Sequence, residues 1–295
     1  MSREDFSFPS PEGSGKKPLD VACFRWSASV KAIGVLQISH GMGEHSLRYA
    51  DVAGFLNRAG FHVYANDHRG HGRTATSKEM LGDFGAGGWD GVVEDMATLT
   101  KLIHDREAGL PIILMGHSMG SFAAQQYLLE HSDLIDAAIL SGSASVDKLV
   151  GEPSGDADLT ALNHAFEPAR TPFDWLSRDH AEVDKYVADP FCGFGVNAKS
   201  MGTMAASARR LSDPAQIARI RNNLPIYIFA GDKDPVNHNL EWLKPVAERY
   251  RAAGIKDVAE KYYADGRHEM LNEINREEVY RDLLAWMRRA IGAVV

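Results

Sequence analysis

The chemistry that this sequence could perform starts at Ser118, the middle residue of Gly-His-Ser-Met-Gly at 116–120. An apolar run precedes this segment and a pattern with helical spacing follows it, which predicts a tight turn between a strand and a helix. Glycines at both ends allow the strand and the helix to approach without a Cβ clash. The hydroxyl would project from the start of the helix, where developing negative charge is stabilised. The pattern favours a nucleophilic serine over a serine that only shapes the turn.

A serine nucleophile needs a base, and the base needs a carboxylate that orients it. His268 follows the last predicted strand, and Asp232 and Asp234 come at the end of the strand before it. The carboxyl ends of parallel strands meet at one edge of a sheet, so these groups are expected near Ser118. Asp234 precedes a proline in a turn, which favours it over Asp232; we interpret Asp232 as a capping or turn residue. We predict a catalytic triad of Ser118, Asp234 and His268.

A glycine-rich turn, His40-Gly41-Met42-Gly43, follows the predicted strand at 32–39. Its backbone N–H groups could stabilise the negative oxygen of a tetrahedral intermediate. The amides predicted to do so are those of Met42 and of Met119, the residue directly after the serine. A tight turn with no catalytic role is the alternative interpretation of these glycines.

The remaining histidines and the cysteines do not predict a metal site. His68 and His71 have the spacing of a metal pair, but no third ligand lies nearby at a suitable spacing, so we interpret them as loop residues. Asn272 occupies the position at which a zinc peptidase would have its second histidine. Cys23 and Cys192 indicate neither a disulfide framework nor a cysteine-based metal site. We predict that the reaction needs no metal ion and no organic cofactor.

The elements that must position these residues alternate between strands and helices. Apolar runs with the length of buried strands alternate with segments whose apolar residues recur at helical spacing. This alternation predicts an α/β fold with a mostly parallel sheet that is covered on both faces. The predicted strands are 21–28, 32–39, 61–67, 111–118, 136–143, 225–232 and 258–265, and the predicted helices are 48–60, 91–107, 121–132, 239–254 and 275–291.

The alternation stops between residues 145 and 223, where proline, glycine and aromatic residues are dense. An excursion of this length is too long for an ordinary loop, which predicts an inserted subdomain of short helices. We expect a core formed by residues 1–144 and 224–295 and a helical cap formed by residues 145–223. Apolar cap residues are expected to divide between a small core of the cap and a pocket above Ser118. They include Phe166, Phe173, Trp175, Leu176, Phe191, Phe194, Met201 and Met204.

Charge and hydropathy exclude several classes of partner. The 295 residues include 32 Lys and Arg and 40 Asp and Glu, which gives a net charge of −8. An acidic surface argues against nucleic acid as a partner and against a polybasic membrane anchor. The N-terminal sequence has no apolar stretch typical of a signal peptide, and no run approaches the roughly 20 apolar residues of a membrane span. A soluble, cytoplasmic protein is therefore expected.

Five motifs, taken in order, resemble the α/β-hydrolases of the monoacylglycerol lipase and lysophospholipase family. They are SHGMGEHSLRY, NDHRGHGRT, GHSMGS, GDKDP and GRHEMLNE. The resemblance extends from about Val21 to the C-terminus and is weakest in the cap. It implies the α/β-hydrolase fold, the same triad and oxyanion donors, and cleavage of carboxylic esters through an acyl-enzyme intermediate. Glu44 and Arg48 match a charged pair that, in this family, braces the loop near the site.

The resemblance implies a small lipid-like ester as substrate, either a monoacylglycerol or a lysophospholipid, and is compatible with transient contact between the cap and a membrane surface. A peptidase similar to proline iminopeptidases shares the triad and the cap, and it is the alternative enzyme. A binding protein with a hydrolase fold is the non-enzymatic alternative, although every triad position is filled here. The motifs leave the acyl length, the head group and the oligomeric state open.

Overall fold

A single eight-stranded sheet lies at the centre of the computed structural model, which describes residues 2–12, 17–149 and 155–293. The strands are β1 (Arg3–Ser10), β2 (Leu19–Trp26), β3 (Gly34–Ser39), β4 (Phe61–Asn66), β5 (Ile112–His117), β6 (Ala137–Ser141), β7 (Ile226–Gly231) and β8 (Val258–Tyr263). Their order is β1-β2-β4-β3-β5-β6-β7-β8. β2 pairs antiparallel with β1 and β4, whereas every other pair is parallel. The predicted mostly parallel sheet is confirmed.

Helices cover both faces of this sheet and divide its apolar residues into two cores. Leu36 and Ile38 of β3 pack in the core shared with the first and last helices, whereas Val35 packs in the core of the opposite face. Because both faces are covered, the central strands are unbroken apolar runs. The first core contains α1 (Ala50–Arg58) and α9 (Arg276–Ala290), and the second contains α2 (Gly88–Arg106), α3 (Met119–His131) and α8 (Lys244–Ala252).

The N-terminal strand β1 was not predicted from the sequence. Arg3, Glu4 and Asp5 are exposed, and only Phe8 and Ser10 of this strand are buried. The strand lies at the edge of the sheet, where charged residues and a proline oppose association with further strands. The residues that protect this edge also remove the apolar pattern by which a strand is recognised.

The segment between β6 and β7 contains helices and turns but no strand within its described residues. Residues 150–154 of the predicted cap lie outside the described residues, as do residues 1, 13–16 and 294–295 of the predicted core. No helix among the described residues has both the length and the apolar character needed to cross a membrane. The helices of the segment are α4 (Val146–Leu149), α5 (His180–Ala188), α6 (Ala198–Ala208) and α7 (Pro214–Ile217), and two 3₁₀ helices span Leu159–Phe166 and Arg209–Leu211.

Candidate active site

The turn that contains Ser118 joins the end of β5 directly to the start of α3. Ser118 adopts φ 52° and ψ −125°, a conformation that is costly for a non-glycine residue and clusters at functional sites. Its N–H donates to the carbonyl of Ser141, at the end of β6, over 2.9 Å. A Cβ at Gly120 would overlap the carbonyl oxygen of Ser39, so α3 can approach β3 this closely only with glycine here. Ser118 thus lies at the carboxyl edge of the sheet.

His268 and Asp234 form a buried pair at the same edge. The imidazole Nδ1 is 3.0 Å from both carboxylate oxygens of Asp234. That carboxylate also accepts hydrogen bonds from the amide of Val236 and the side chain of Asn237, both over 2.9 Å. Burial disfavours a charge on His268, but the Asp234 carboxylate outweighs this effect and raises the pKa of the imidazole. Such a pair fixes the tautomer whose Nε2 can accept a proton.

The other imidazole nitrogen of His268, Nε2, is buried and makes no hydrogen bond to the described residues. The side chain lines the same cavity as Ser118, so this nitrogen is available to a proton donor in the cavity. Asp232 has a different role in the structure, since its carboxylate accepts the amide of Asp265 over 2.8 Å. The geometry therefore brings Asp234, rather than Asp232, to the histidine.

The glycine-rich turn after β3 lies directly against the serine. A Cβ at Gly41 would be 3.1 Å from the Cβ of Ser118, and Met42 lines the cavity beside it. Met119 is the first residue of α3, so its N–H has no acceptor within the helix. The amides of Met42 and Met119 thus belong to the two turns that meet at Ser118, which is the arrangement that an oxyanion site requires.

A buried network of three charged residues connects this turn to the histidine loop. Arg48 donates to Glu44 over 2.7 Å and to both oxygens of Glu269 over 2.6 and 2.7 Å. Glu44 in turn accepts the amide of Gly41 over 2.6 Å and the hydroxyl of Tyr49 over 2.8 Å. Burial opposes ionisation of Glu44, but the Arg48 guanidinium holds its pKa at about 2. The network joins the residue before Met42 to the residue after His268.

Glu269 is a member of this network that the sequence analysis did not identify. Burial opposes its ionisation as well, but Arg48 holds its pKa below the usual value. The signal available in the sequence was its position directly after the predicted base, on the same loop. Its partner, Arg48, lies 221 residues away in sequence, so no local pattern connects the two.

A cavity of about 180 Å³ lies above Ser118 and is lined mainly by apolar side chains. Trp175, Leu176, Met201 and Met204 line it, whereas the other four apolar cap residues named from the sequence do not. The Trp175 ring is 5.0 Å from the ring of His268. Further lining residues from the same inserted segment were not identified from the sequence, and these are Ala157, Leu159, Leu162 and Tyr186.

Comparison with known proteins places this chain in a family. The family model described as Hydrolase_4: Serine aminopeptidase, S33 matches residues 30–275. The monoacylglycerol lipase of Mycolicibacterium smegmatis is 30% identical over 282 residues, which cover 89% of this chain and 90% of that protein. The chain belongs to this α/β-hydrolase family.

Two further members show the same likeness. The monoglyceride lipase of Rattus norvegicus is 30% identical over 221 residues, covering 72% of this chain and 69% of that protein. The crystal structure of a thermostable carboxyl esterase from Bacillus coagulans, in complex with glycerol, matches with a TM-score of 0.85 and 30% identity. It covers 99% of both chains. The predictions of an α/β-hydrolase fold and of a carboxylic ester hydrolase are confirmed at the level of the family.

The paired histidines in this α/β-hydrolase lie behind the glycine-rich turn at 40–43, which is called the oxyanion turn below after the role proposed for it. His68 Nε2 is 2.9 Å from the hydroxyl of Ser39, and His71 Nδ1 is 2.9 Å from the carbonyl of Arg69. The rings of both histidines pack against His40, at centroid distances of 4.3 and 5.3 Å. Burial lowers the pKa of His71 to about 3 and that of His40 to about 4. These neutral rings pack together and support the turn that begins at His40.

Proposed function

We propose that this protein hydrolyses monoacylglycerols, with Ser118 as nucleophile, His268 as general base and Asp234 as the carboxylate that orients it. The observation that supports this best is a mainly apolar cavity that Ser118 and His268 both line. Similarity to monoacylglycerol lipases and to a carboxyl esterase supports the ester class. A monoacylglycerol combines one ester bond with one apolar chain, which suits a cavity of this character.

In the proposed reaction, Ser118 Oγ attacks the ester carbonyl while His268 Nε2 takes the hydroxyl proton. The carbonyl oxygen becomes negative and is stabilised by the amides of Met42 and Met119. Collapse of this intermediate breaks the ester C–O bond, and His268 returns the proton to the departing glycerol oxygen. A water molecule then repeats the sequence on the acyl-enzyme and releases the fatty acid. Asp234 holds the imidazole in position and stabilises its protonated form throughout.

Glu44 and Arg48 are proposed to brace the oxyanion turn rather than to contact substrate. Glu44 and Glu269, the two carboxylates of this network that line the cavity, both accept hydrogen bonds from Arg48. The amide of Gly41 is also engaged, because it donates to Glu44. Since Gly41 is held in this way, the following peptide, which presents the Met42 amide, has a defined orientation.

We further propose that residues 145–223 form a cap that holds the acyl chain. Trp175, Leu176, Met201 and Met204 line the cavity from this segment. Each buried CH₂ group of substrate should contribute roughly 0.8 kcal/mol, or about fourfold in affinity. The chain-length profile should therefore report how far the cavity accommodates the acyl chain.

The cap is also proposed to contact membrane surfaces transiently, in a protein that acts in the cytoplasm. Val187 and Phe191 are 49% and 41% exposed, and both lie in this segment. The net charge of −8 opposes attraction to anionic lipids. Contact should therefore depend on apolar side chains and be insensitive to salt.

A peptidase is the second candidate, because the matching family model is described as a serine aminopeptidase. An aminopeptidase site needs a negative group that can receive the substrate's α-ammonium. Glu44 and Glu269 line the cavity, but Arg48 already pairs with both of them. No other carboxylate is among the described residues that line the cavity, and this favours the ester substrate.

The test compares 1-monoacylglycerols of increasing acyl length with lysophosphatidylcholine and with aminoacyl-anilides. We expect turnover of the monoacylglycerols, loss of it in Ser118→Ala, and covalent labelling of Ser118 by a serine-reactive phosphonate. Thermal unfolding of Ser118→Ala should remain close to that of the wild type, because the hydroxyl contributes little packing. Turnover of the anilides alone, or near wild-type hydrolysis by folded Ser118→Ala, would contradict the proposal.

A further inference from the structure

Three side chains of metal-ligating types meet beside the oxyanion turn, and none of them lines the cavity above Ser118. His45 Nε2 is 2.9 Å from Asp189 Oδ2, and the ligand atoms of His45, Asp189 and Cys192 all lie within 4.8 Å of one another. His45 lies two residues after the oxyanion turn, Asp189 directly follows helix α5, and Cys192 lies three residues further on. The group therefore joins His45 to two residues that lie 144 and 147 positions further along the chain, which explains why no cysteine-based site was predicted.

The donor set is that of a zinc site. Imidazole nitrogen, carboxylate oxygen and thiolate sulfur are the protein ligands of Zn²⁺, and three of them with one water complete a tetrahedron. Bond lengths of about 2.0–2.3 Å require the ligand atoms to be roughly 3.3–3.8 Å apart. The ligand atoms of His45 and Asp189 are 2.9 Å apart, slightly less than this range, and the two separations that involve Cys192 are at most 4.8 Å. Side-chain movements of about 1 Å would therefore complete the geometry.

The surroundings also suit a cation. The second oxygen of Asp189, Oδ1, accepts the amide of Phe191 over 2.9 Å, which leaves Oδ2 directed at His45. Hydrogen bonds of this kind to a ligand's free atom orient metal ligands in proteins. A cleft lined by His45 and Asp189 adjoins the group, and the carboxylates of Asp51 and Glu182 and the cations of Arg48 and Lys185 also line it. The nearby positive charge of Arg48 is balanced by its two carboxylates.

The site would join two parts of the molecule that flank the active site. Cys192 is followed by Gly193, whose amide donates to the carbonyl of Gly43 over 3.0 Å. A Cβ at Gly43 would overlap the carbonyl oxygen of Phe194, so the segment after α5 is in direct contact with the oxyanion turn. A metal ion held by both parts would fix this contact.

We propose that His45, Asp189 and Cys192 bind Zn²⁺, and that the bound ion holds the segment 189–193 against the oxyanion turn. The ion takes no part in the hydrolytic reaction; it stabilises the contact between these two parts of the chain.

A second group of potential ligands provides a matched control. Glu94, Glu130 and His131 also lie within ligand distance of one another, but this group is more exposed and has no thiol. Glu130 is also paired with Arg210 and is not free for an ion. His131→Gln should therefore leave zinc binding unchanged.

The experiment uses the full-length chain, stripped of metal with a chelator. Calorimetric titration with ZnCl₂ should show saturable binding of one ion per chain. CoCl₂ should produce a thiolate-to-cobalt charge-transfer band in the near ultraviolet. Cys192→Ser should abolish the band and weaken zinc binding at least about 100-fold, and Asp189→Asn, at a partly exposed position, should weaken it too. Zn²⁺ should raise the unfolding temperature of the wild type but not that of Cys192→Ser.

The binding measurements do not depend on enzyme activity, so they test the zinc site even if the protein hydrolyses another ester. Absence of the cobalt band in the wild type, or an unchanged band in Cys192→Ser, would overturn the site. Loss of binding in His131→Gln would assign the ion to the other group. Zinc that binds at the site without raising the unfolding temperature of the wild type would overturn the proposed connection between the two parts of the chain.

Discussion

Replacing Glu269 by glutamine tests whether the buried network positions the catalytic groups. Arg48 makes two hydrogen bonds to Glu269 and one to Glu44, all between 2.6 and 2.7 Å. Glutamine preserves the shape but removes the charge and one acceptor oxygen. Arg48 retains Glu44 as a countercharge, so the guanidinium is not left unpaired.

The loss of stability expected in each variant follows from these contacts. Hydrogen bonds to charged groups contribute about 1.5–3 kcal/mol each, so Glu269→Gln should lower the free energy of unfolding by about 2 kcal/mol. Arg48→Met leaves two buried carboxylates without a partner, and breaking a buried pair in this way costs about 3–5 kcal/mol. Urea denaturation at neutral pH should show a larger loss of stability in Arg48→Met than in Glu269→Gln.

The pH dependence of the reaction is the sharper measurement. Burial lowers the pKa of His268, while Asp234 and, to a smaller extent, Glu269 and Glu44 raise it. His268 acts as a base only when neutral, so activity falls as the pH drops through its pKa. Without the charge of Glu269 this pKa should fall, and the acid limb of kcat/KM should move to lower pH. The direction of this displacement is read from kcat/KM profiles of the wild type and the variant measured across the acid limb.

Glu273 provides the matched control in the same loop. It is fully buried and paired with Arg178 over 3.0 Å, and it is not among the groups that contribute most to the pKa of His268. Glu273→Gln should therefore lose stability without moving the acid limb. An equal displacement in both variants, or an unmoved limb in Glu269→Gln, would refute the electrostatic reasoning.

Three further outcomes are expected. Asp234→Asn should lower kcat by about 10⁴, because the histidine loses its orienting charge, whereas Asp232→Asn should change it little; ester assays of both variants check this. Gly43→Ala should lower the unfolding temperature and raise KM, because φ is 63° here and a Cβ would overlap the neighbouring segment. Finally, burial holds the pKa of His40 at about 4 and that of His71 at about 3, against 6.5 for a free imidazole. The unfolded chain binds these protons first, so stability should fall between pH 6.5 and 3, by about 3 kcal/mol per histidine near pH 4, as measured by urea denaturation across this range.

The parts of the fold that could be predicted are those whose signal is local. The strand, turn and helix around Ser118 form one continuous stretch. Its glycines are required because Gly116 packs against the start of α3 and Gly120 packs against the end of β3. The central strands are covered on both faces, so their apolar runs are unbroken and easily recognised. β1 escaped recognition because an exposed edge strand with charged residues has no such run.

Contacts between distant segments could not be predicted. Only its contact with Arg48 distinguishes Glu269 from an ordinary surface glutamate. The fold brings these two residues together, although they are far apart in the sequence. The same holds for Cys192, whose neighbours come from the oxyanion turn and from the end of α5. In the inserted segment, short helices and turns present apolar residues in no regular order. Their division between cavity and cap core therefore depends on packing that only the structure gives.

The backbone itself connects the proposed catalytic groups. Gly142, the residue after β6, has φ 53°, and a Cβ on it would lie 2.9 Å from Cε1 of His268 and 3.0 Å from Cε1 of His117. The space occupied by the base therefore exists because the strand beside the serine ends in glycine. Ser118 donates its amide to Ser141 in the same strand end. A displacement of this one turn would move the nucleophile and the base together, so precise alignment of the site depends on close packing at the carboxyl edge as much as on the catalytic side chains.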